Sequence, residues 1–200
     1  IAGYHAAKPK RIQDLYDFYI SKNNIDILNM LNVKYIIEND PENPIGVTRN
    51  PNNFGNAWFI EKIKNVSSSD EELTILNNID LRSTVVSQEL NEKTYSKNIL
   101  NSVKLKQRKA NHLIYEVKSD SEQFIVFSEA FYKNGWKSTI NSKPAKHFKV
   151  NYLLRGMEVP KGNYDIHFTY NPKIIMTGSI FVIFGSIILL ISLFIYIKKI

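Results

Sequence analysis

The stretch IIMTGSIFVIFGSIILLISLFIYI, residues 174–197, decides the architecture of this 200-residue chain. It contains 24 consecutive residues without a charged side chain. As an α-helix it would be about 36 Å long at ~1.5 Å per residue, which exceeds the ~30 Å hydrocarbon core of a bilayer. The sequence therefore predicts one transmembrane helix within residues 173–200.

Lysines on both sides of this stretch predict its orientation. Lys198 and Lys199 follow it, whereas Lys173 directly precedes it. Because positively charged residues favour the cytoplasmic side of a membrane, we expect a short basic tail in the cytoplasm. Residues 1–172 would then lie outside the cytoplasm. The chain begins at Ile1, and we expect it to be the C-terminal piece of a longer protein.

Upstream of the membrane helix, residues 99–172 alternate between apolar and polar side chains with a period of two. This period is typical of strands with one buried face. Turn-forming residues separate the alternating runs, as at 141–144 and 160–162. The segment is predicted to be an antiparallel β-sandwich, jelly-roll-like in organisation. Its predicted strands are 102–108, 111–119, 123–129, 136–140, 145–150, 151–159 and 163–170.

Residues 1–98 are predicted to form a separate α+β subdomain. Apolar residues recur at spacings of three and four over 8–33, with a break at Asn23-Asn24, which predicts two helices. Ser69 and Glu72 fit a capping box, and a short helix is expected to follow. The fold class is therefore α+β with one C-terminal transmembrane helix. Short strands are predicted at 34–38, 57–63 and 84–90.

Metal and thiol chemistry are disfavoured by composition and spacing. The chain has no cysteine, so it has neither disulfides nor thiolate metal ligands. Its histidines form no HxH or HxxxH pair, and the last two alternate with apolar residues, like solvent-facing strand positions. We therefore predict no metal site. The histidines are His5, His112, His147 and His167.

Hydrolase, phosphate-loop and nucleic-acid functions are also disfavoured. The sequence contains no GxSxG, GxxxxGK or GxGxxG motif. Its formal net charge is +7, and the three lysines around the membrane stretch supply part of it. The remaining basic residues form no concentrated stripe, so we predict no nucleic-acid partner. We predict no catalytic residue in this chain.

The run SEAFYKNGWKSTI, residues 128–140, admits two interpretations. Glu129, Tyr132 and Trp136 would suit a sugar site, because an aromatic ring takes the apolar face of a sugar while a carboxylate binds its hydroxyl groups. Alternatively, the run is a turn between two strands, and Trp136 fills the sandwich core. In that case Gly135 would supply a positive φ. The second interpretation is the simpler, and the sequence leaves the first open.

The start of the chain offers further candidate contacts. Four of its polar residues lie close together in GYHAAKPKRIQDLYDFY, residues 3–19. They form either a solvated helix start or a surface that binds lipid phosphates or an anionic substrate. Together with residues of the sandwich, they make up the candidate substrate-binding set: Tyr4, His5, Lys10, Arg11, Glu129, Tyr132 and Arg155.

Six sequence runs, in this order and spacing, carry a family resemblance. They are GYHAAKPKRIQDLYDFYI, ILNMLNVKYII, FGNAWFI, DEEL, FSEAFYKNGWKSTINSKP and NYLLRGMEVPKGNYDIHFTYNP. Through these runs the chain resembles the C-terminal region of the YfhO family of bacterial polytopic membrane proteins, and it is most similar to the Bacteroidetes-type members. Phe131 departs from the family pattern, in which Tyr is common at that place.

The resemblance implies a function for the parent protein. YfhO-like proteins look like GT-C glycosyltransferases, which use polyprenyl-phosphate-linked sugars as donors and carry their catalytic carboxylate in an early extracytoplasmic loop. That loop would lie upstream of Ile1, so this fragment would contain no catalytic residue and no cofactor. The alternative is a non-catalytic, membrane-tethered β-sandwich module that binds glycan or protein.

The resemblance also implies a location and partners. The chain would sit in a bacterial plasma (inner) membrane, with residues 1–172 in the periplasm and the C-terminus in the cytoplasm. Its expected partners are the lipid bilayer, the upstream transmembrane bundle of the same chain and a cell-envelope glycan.

Overall fold

The computed structural model describes residues 9–38 and 46–198, so Tyr4, His5 and Lys199 lie outside the described residues. Within these ranges the chain forms four α-helices, two short 3₁₀-helices and fourteen strands. The 3₁₀-helices, Ile20–Lys22 and Ile75–Asn78, follow the first and third α-helices. The α-helices are α1 (Lys10–Phe18), α2 (Ile25–Met30), α3 (Ser69–Thr74) and α4 (Lys173–Ile197).

Most of the strands are short, and they come in two groups along the chain. Six precede residue 98: β1 (Tyr35–Glu38), β2 (Gly46–Arg49), β3 (Ala57–Ile60), β4 (Lys62–Asn65), β5 (Thr84–Ser87) and β6 (Lys93–Thr94). Eight follow it: β7 (Ser102–Lys109), β8 (His112–Ser119), β9 (Gln123–Ala130), β10 (Trp136–Ile140), β11 (Lys143–Ala145), β12 (Phe148–Val150), β13 (Leu154–Val159) and β14 (Gly162–Tyr170).

The break predicted between the first two helices is confirmed. Asn23 adopts a left-handed conformation with φ of 54°, which ends the first helical segment. Asn24 then caps α2, since its side-chain oxygen accepts from the Ile27 amide at 3.1 Å. Both roles are typical of asparagine, which tolerates positive φ and has a short side chain that reaches the backbone.

Two antiparallel sheets face each other and form the predicted sandwich. One has the strand order β11-β10-β14-β8-β7, and the other has the order β12-β13-β9-β3. The core between them is apolar and well buried. Its members are Leu113, Tyr115, Val117, Ile125, Phe127, Met157, Val159, Tyr164, Ile166 and Phe168.

Strand β9 lies at the centre of the whole arrangement, because both of its faces are buried. Ile125 and Phe127 point into the sandwich core. Phe124 and Val126, on the opposite face, belong to a second core. Residues of α1, α2 and α3 and of a small sheet with the order β5-β4-β6 complete this second core. The fold therefore has three layers, with the β9 sheet in the middle.

The middle sheet contains a strand from the first half of the chain. Ala57–Ile60 pairs with β9 in antiparallel register, with Ala57 opposite Phe127. The second core likewise includes residues from both sides of position 98. Backbone hydrogen bonds between β3 and β9 therefore join residues on the two sides of position 98. The boundary between two subdomains at that position stays a prediction. The predicted fold class, α+β with antiparallel sheets and one C-terminal apolar helix, is confirmed.

Two predicted strands are each divided into two. The strand predicted at 57–63 is wrong as a single element: the Glu61 and Lys62 amides both donate to the Ser83 carbonyl, at 2.7 and 3.0 Å, which bends the chain. The strand predicted at 145–150 is divided at His147, because β11 pairs with β10 while β12 pairs with β13 in the other sheet. Each division lets the chain pass from one sheet to another.

The predicted capping box is wrong by one residue. Ser68, not Ser69, caps α3, and its hydroxyl accepts from the Glu71 amide at 3.1 Å. Glu71 in turn accepts from the Ser67 amide at 2.8 Å. This register frees Glu72 from capping and turns its side chain inward, where it is fully buried.

The Glu72 carboxylate is held by donors from three other parts of the fold. It accepts from the Tyr152 amide at 3.0 Å, from Gln88 Nε2 at 2.7 Å and from Lys149 Nζ. Arg11 Nη1 lies 3.8 Å away and also donates to the Tyr152 carbonyl at 2.9 Å. A buried charge is tolerated only with such partners. The Glu72 cluster thus joins α1 and α3 to the loop between β12 and β13.

The C-terminal helix has the properties of a membrane span. Residues Thr177–Ile197 are long and apolar enough to cross a bilayer, and no part of them is buried against the rest of the protein. The hydroxyl groups of its three serines each donate to the carbonyl four residues earlier, at 2.9 Å. These bonds satisfy polar groups that would otherwise be unpaired in lipid.

The contacts of the Glu72 carboxylate predict how much its removal would destabilise the fold. We expect Glu72→Ala to lower the free energy of unfolding by about 3–5 kcal/mol, because it leaves the largely buried Lys149 without its counter-charge. The exposed Glu92 provides a control, and Glu92→Ala should change the free energy by less than about 0.5 kcal/mol. Urea unfolding of the chain in nanodiscs, followed by near-ultraviolet circular dichroism, measures both. Similar small effects for the two variants would contradict this role of Glu72.

Candidate functional site

The run 128–140 lies at the end of the sandwich from which the membrane helix emerges. Trp136, the first residue of β10, pairs with Tyr170, the last residue of β14. The Asn171 amide donates to the Gly135 carbonyl at 2.9 Å, and α4 begins two residues later. The β9–β10 loop and the start of the membrane helix are therefore joined by a backbone hydrogen bond. We call this part of the fold the membrane-facing end.

A pocket of about 620 Å³ opens at this end, between the β9–β10 loop and the first turn of α4. Its walls are aromatic, with the Trp136 and Tyr170 ring centroids 5.3 Å apart and those of Tyr132 and Tyr170 6.3 Å apart. We call it the junction pocket. Its lining includes Tyr132, Lys133, Trp136, Lys137, Tyr170 and Ile175.

Gly135 is required here for space, and the predicted positive φ is wrong. Positive φ among the described glycines occurs at Gly55 and Gly162. A Cβ at position 135 would lie 2.1 Å from the Tyr170 ring, far inside van der Waals contact. The missing side chain thus allows Tyr170 to pack on the loop and form one wall of the junction pocket.

A buried arginine supports Trp136 from behind. Arg155 is 2% exposed, and its guanidinium lies 4.2 Å from the Trp136 ring centroid. Its Nε donates to the Ala130 carbonyl at 2.9 Å, whereas Nη1 has no hydrogen-bond partner among the described residues. Burial lowers the pKa of Arg155 to about 10, and the nearby Glu129 opposes this shift. Arg155 therefore stays charged at neutral pH and is held by a cation–π contact.

Three of the predicted contact residues meet at this end of the sandwich. Glu129 forms an ion pair with Arg108, Tyr132 lines the junction pocket, and Arg155 supports Trp136. Trp136 itself is half-buried at the edge of the sandwich core. Arg155 covers one face of the Trp136 ring and so removes that face from contact with a sugar.

The other described contact residues lie elsewhere. Arg11 belongs to the Glu72 cluster, where its guanidinium also lies 4.4 Å from the Tyr152 ring centroid. Lys10 is exposed at the first residue of α1. The five candidate residues that the structure describes therefore do not form one site, and the role of all seven in binding stays a prediction.

His147 is partly buried, whereas the sequence predicted a solvent-facing position. Its ring packs against Phe131 and Phe168, with centroids 5.6 and 5.5 Å away. Burial lowers its pKa to about 4, and the positive charge of Arg155 adds to the effect. The prediction failed because the residue lies at the crossing between two sheets, where alternation no longer indicates exposure.

The pair Ser138 and His147 resembles a nucleophile and its base, but the hydrogen bonds exclude that role. Ser138 Oγ lies 2.7 Å from His147 Nδ1 and 2.6 Å from the Ala145 carbonyl. The hydroxyl proton goes to the carbonyl, so His147 is the donor to the serine. Ser138 is also only 5% exposed, and its oxygen is not available to a substrate.

His112 and His167 form a second contact that the sequence did not indicate. Their Nε2 and Nδ1 atoms are 3.0 Å apart, and the rings stack with centroids at 5.2 Å. They lie on neighbouring strands, so only the pairing of β8 with β14 brings them together. Over the described ranges, no three histidine or acidic side chains converge to hold a metal ion.

A comparison with known protein families gives a match for this chain. A family model described as bacterial membrane protein YfhO matches residues 65–182, which is more than half of the chain. The chain belongs to the YfhO family. The match runs from the end of β4 into α4, so both Glu72 and the junction pocket lie within the matched residues. No curated protein and no solved structure matches the chain.

The residues of the junction pocket that sequence reasoning missed are Lys133, Lys137 and Tyr170. Tryptophan, tyrosine and lysine near the end of a membrane span are typical of the lipid–water interface, and all three residue types can be seen in the sequence. However, residues 132–137 are more than thirty positions from α4 in the sequence of this YfhO chain. Only the pairing of β10 with β14 places them beside the helix.

The close contact at Gly135 gives a test of the junction. Gly135→Ala should lower the free energy of unfolding by about 1–3 kcal/mol, since the added methyl group must displace the Tyr170 ring. Gly46→Ala is the control, because no atom of the described residues lies within 4 Å of a Cβ there. Thermal and urea unfolding of both variants measure the difference. Equal stability of the two would show that Tyr170 does not pack on Gly135.

Proposed function

We propose that this chain is the periplasmic C-terminal domain and last membrane helix of a GT-C-type glycosyltransferase. The parent enzyme would transfer sugar from a polyprenyl-phosphate carrier to a cell-envelope glycan or polymer, as the resemblance to Bacteroidetes-type members implies. The observation that carries the proposal is the junction: only two residues separate β14 from α4, and Asn171 bonds back to Gly135. This supports a domain held directly at the membrane surface, where a lipid-linked sugar would lie.

The catalytic carboxylate is proposed to lie upstream of this chain. A general base must contact the acceptor and keep a free oxygen for its proton. Glu129 is paired with Arg108, and the Glu72 carboxylate is fully buried and held by donors on several sides. Both carboxylates thus have structural partners. The domain would help to shape the acceptor site and would not perform the chemistry.

The upstream membrane bundle of the same chain is the proposed partner of the β1–β2 hairpin. Tyr35, Ile37 and Val47 are each about 60% exposed on this short antiparallel pair. Apolar side chains concentrated on one exposed hairpin are typical of a surface that contacts another apolar element. In this arrangement α4 and the hairpin would both contact membrane-embedded parts of the parent enzyme.

A second candidate function is glycan binding without catalysis. A depression of about 310 Å³, the size of a small sugar, is bordered by Glu129, Arg108 and Trp136. A carboxylate, a guanidinium and an aromatic edge are groups that sugar-binding sites use. In this case Glu129 and Arg108 would bind the sugar, Arg155 would hold Trp136 in position, and the chain would act as a membrane-tethered module.

A transfer assay with the full-length parent separates the two functions. Glu129→Gln should keep most of the transfer of sugar from a polyprenyl-phosphate donor, because Glu129 is not the base. Replacing the acidic residue of an early periplasmic loop by its amide should reduce transfer by about 100-fold or more. Incorporation of labelled sugar into the membrane fraction measures both variants.

Loss of transfer in Glu129→Gln, with the normal urea midpoint, would place chemistry in this domain and contradict the proposal. A parent with no transferase activity, together with glycan binding by this chain that Glu129→Gln abolishes, would favour the second function.

A further inference from the structure

We propose that the junction pocket binds the phosphate headgroup of a phospholipid in the leaflet that α4 enters first. In this proposal Lys133 and Lys137 contact the phosphate, and the Tyr132 and Trp136 rings lie at the level of the headgroups. This interaction goes beyond the glycosyltransferase proposal and does not depend on it, because it requires only that α4 crosses a bilayer.

The depth of the pocket fits the headgroup layer. Ile174 and Ile175 line the pocket and are also the first two residues of the apolar stretch. That stretch is about 6 Å longer than the ~30 Å hydrocarbon core, so its first turn lies close to the boundary with the headgroups. The remaining walls of the pocket rise from this turn and would occupy the headgroup layer, which is ~5–7 Å thick on each side.

The aromatic side chains are of the type that this layer favours. Tyr132 is 54% exposed, so most of its ring is open to the surroundings. Trp136 is half-buried, with its far side fixed by Arg155. Tyrosine and tryptophan concentrate at the membrane interface because each has an apolar body and one polar group. The rings therefore have a physical reason to be exposed at this end of the sandwich.

The charges of the pocket fit a phosphate. Lys133 and Lys137 are exposed and line the pocket, and no acidic side chain lines it. Neither lysine forms an ion pair anywhere in residues 9–38 and 46–198. Of the carboxylates nearby, Glu129 in strand β9 is paired with Arg108, and Glu89 borders a neighbouring depression together with both lysines. Two unpaired cations beside aromatic rings at a membrane boundary form a binding surface for an anionic headgroup.

Tryptophan fluorescence in nanodiscs tests the contact. The chain has two tryptophans, so Trp58→Phe leaves Trp136 as the sole reporter. Lipids brominated near the headgroup end of their acyl chains should quench Trp136, and more strongly when phosphatidylglycerol is added to phosphatidylcholine. The control is the combination Trp58→Phe, Trp136→Phe and Lys161→Trp. It puts the only tryptophan just beyond the opposite end of β14, roughly 30 Å away at ~3.3 Å per residue, where we expect no quenching.

Lysine substitutions then test the phosphate. In a titration of phosphatidylglycerol into the discs, Lys133→Ala and Lys137→Ala should each raise the mole fraction that gives half-maximal quenching of Trp136 by about fivefold, which corresponds to ~1 kcal/mol per lysine. Lys161→Ala, an exposed lysine at the far end, should leave that mole fraction unchanged.

Three outcomes would overturn the proposal. Trp136 could be quenched no more than the reporter at position 161, which would show that the pocket does not reach the lipid. Quenching could be equal in both lipid mixtures and insensitive to the two lysines, which would show an apolar contact without phosphate recognition. Inorganic phosphate could shift Trp136 emission in detergent as phosphatidylglycerol does in discs, which would show a site for free phosphate.

Discussion

The buried carboxylate of Glu72 is the interaction on which the arrangement of the layers depends. It draws a backbone amide, an amide side chain and a lysine from separate segments toward one point, and Arg11 lies close by. A buried charge is unfavourable unless all of these donors are in place, so the cluster specifies how α1 and α3 sit on the middle sheet. Asn151 reinforces the same contact, because its backbone and side chain bond to both polar groups of Val86, each at 2.9 Å. The two halves of the chain are thereby joined by polar contacts as well as by a shared core.

From this middle layer a series of contacts leads to the membrane. Arg155, on β13, is buried between the sheets and packs on Trp136 at the start of β10. Trp136 pairs with Tyr170, whose ring packs where Gly135 has no side chain. Asn171 then bonds to Gly135 immediately before α4 begins. Because each member of the series is fixed by the one before, the orientation of the sandwich relative to the first turn of the membrane helix follows from packing.

The features predicted correctly from the sequence are those that local patterns determine. The membrane helix needs only its own apolar length, and the period-two strands of the second half need only their own alternation. The features that were missed depend on partners far away in the sequence. Nothing local shows that Ala57–Ile60 joins β9, that Glu72 turns inward when the cap shifts to Ser68, or that β10 lies beside α4. The junction pocket combines residues 132–137 and 170–175, so it could not be assembled before the strand pairing was known.

The central claim is that the N-terminal layer and the sandwich form one cooperative unit at the membrane surface. Native-state hydrogen exchange of the chain in nanodiscs, repeated at increasing urea concentration, tests it most directly. We predict that the amides of Val85 and Val86 in β5 and those of Phe124 and Val126 in β9 open with the same free energy and the same urea dependence. Opening of the β5 amides at a clearly lower free energy, while β9 stays protected, would contradict the claim.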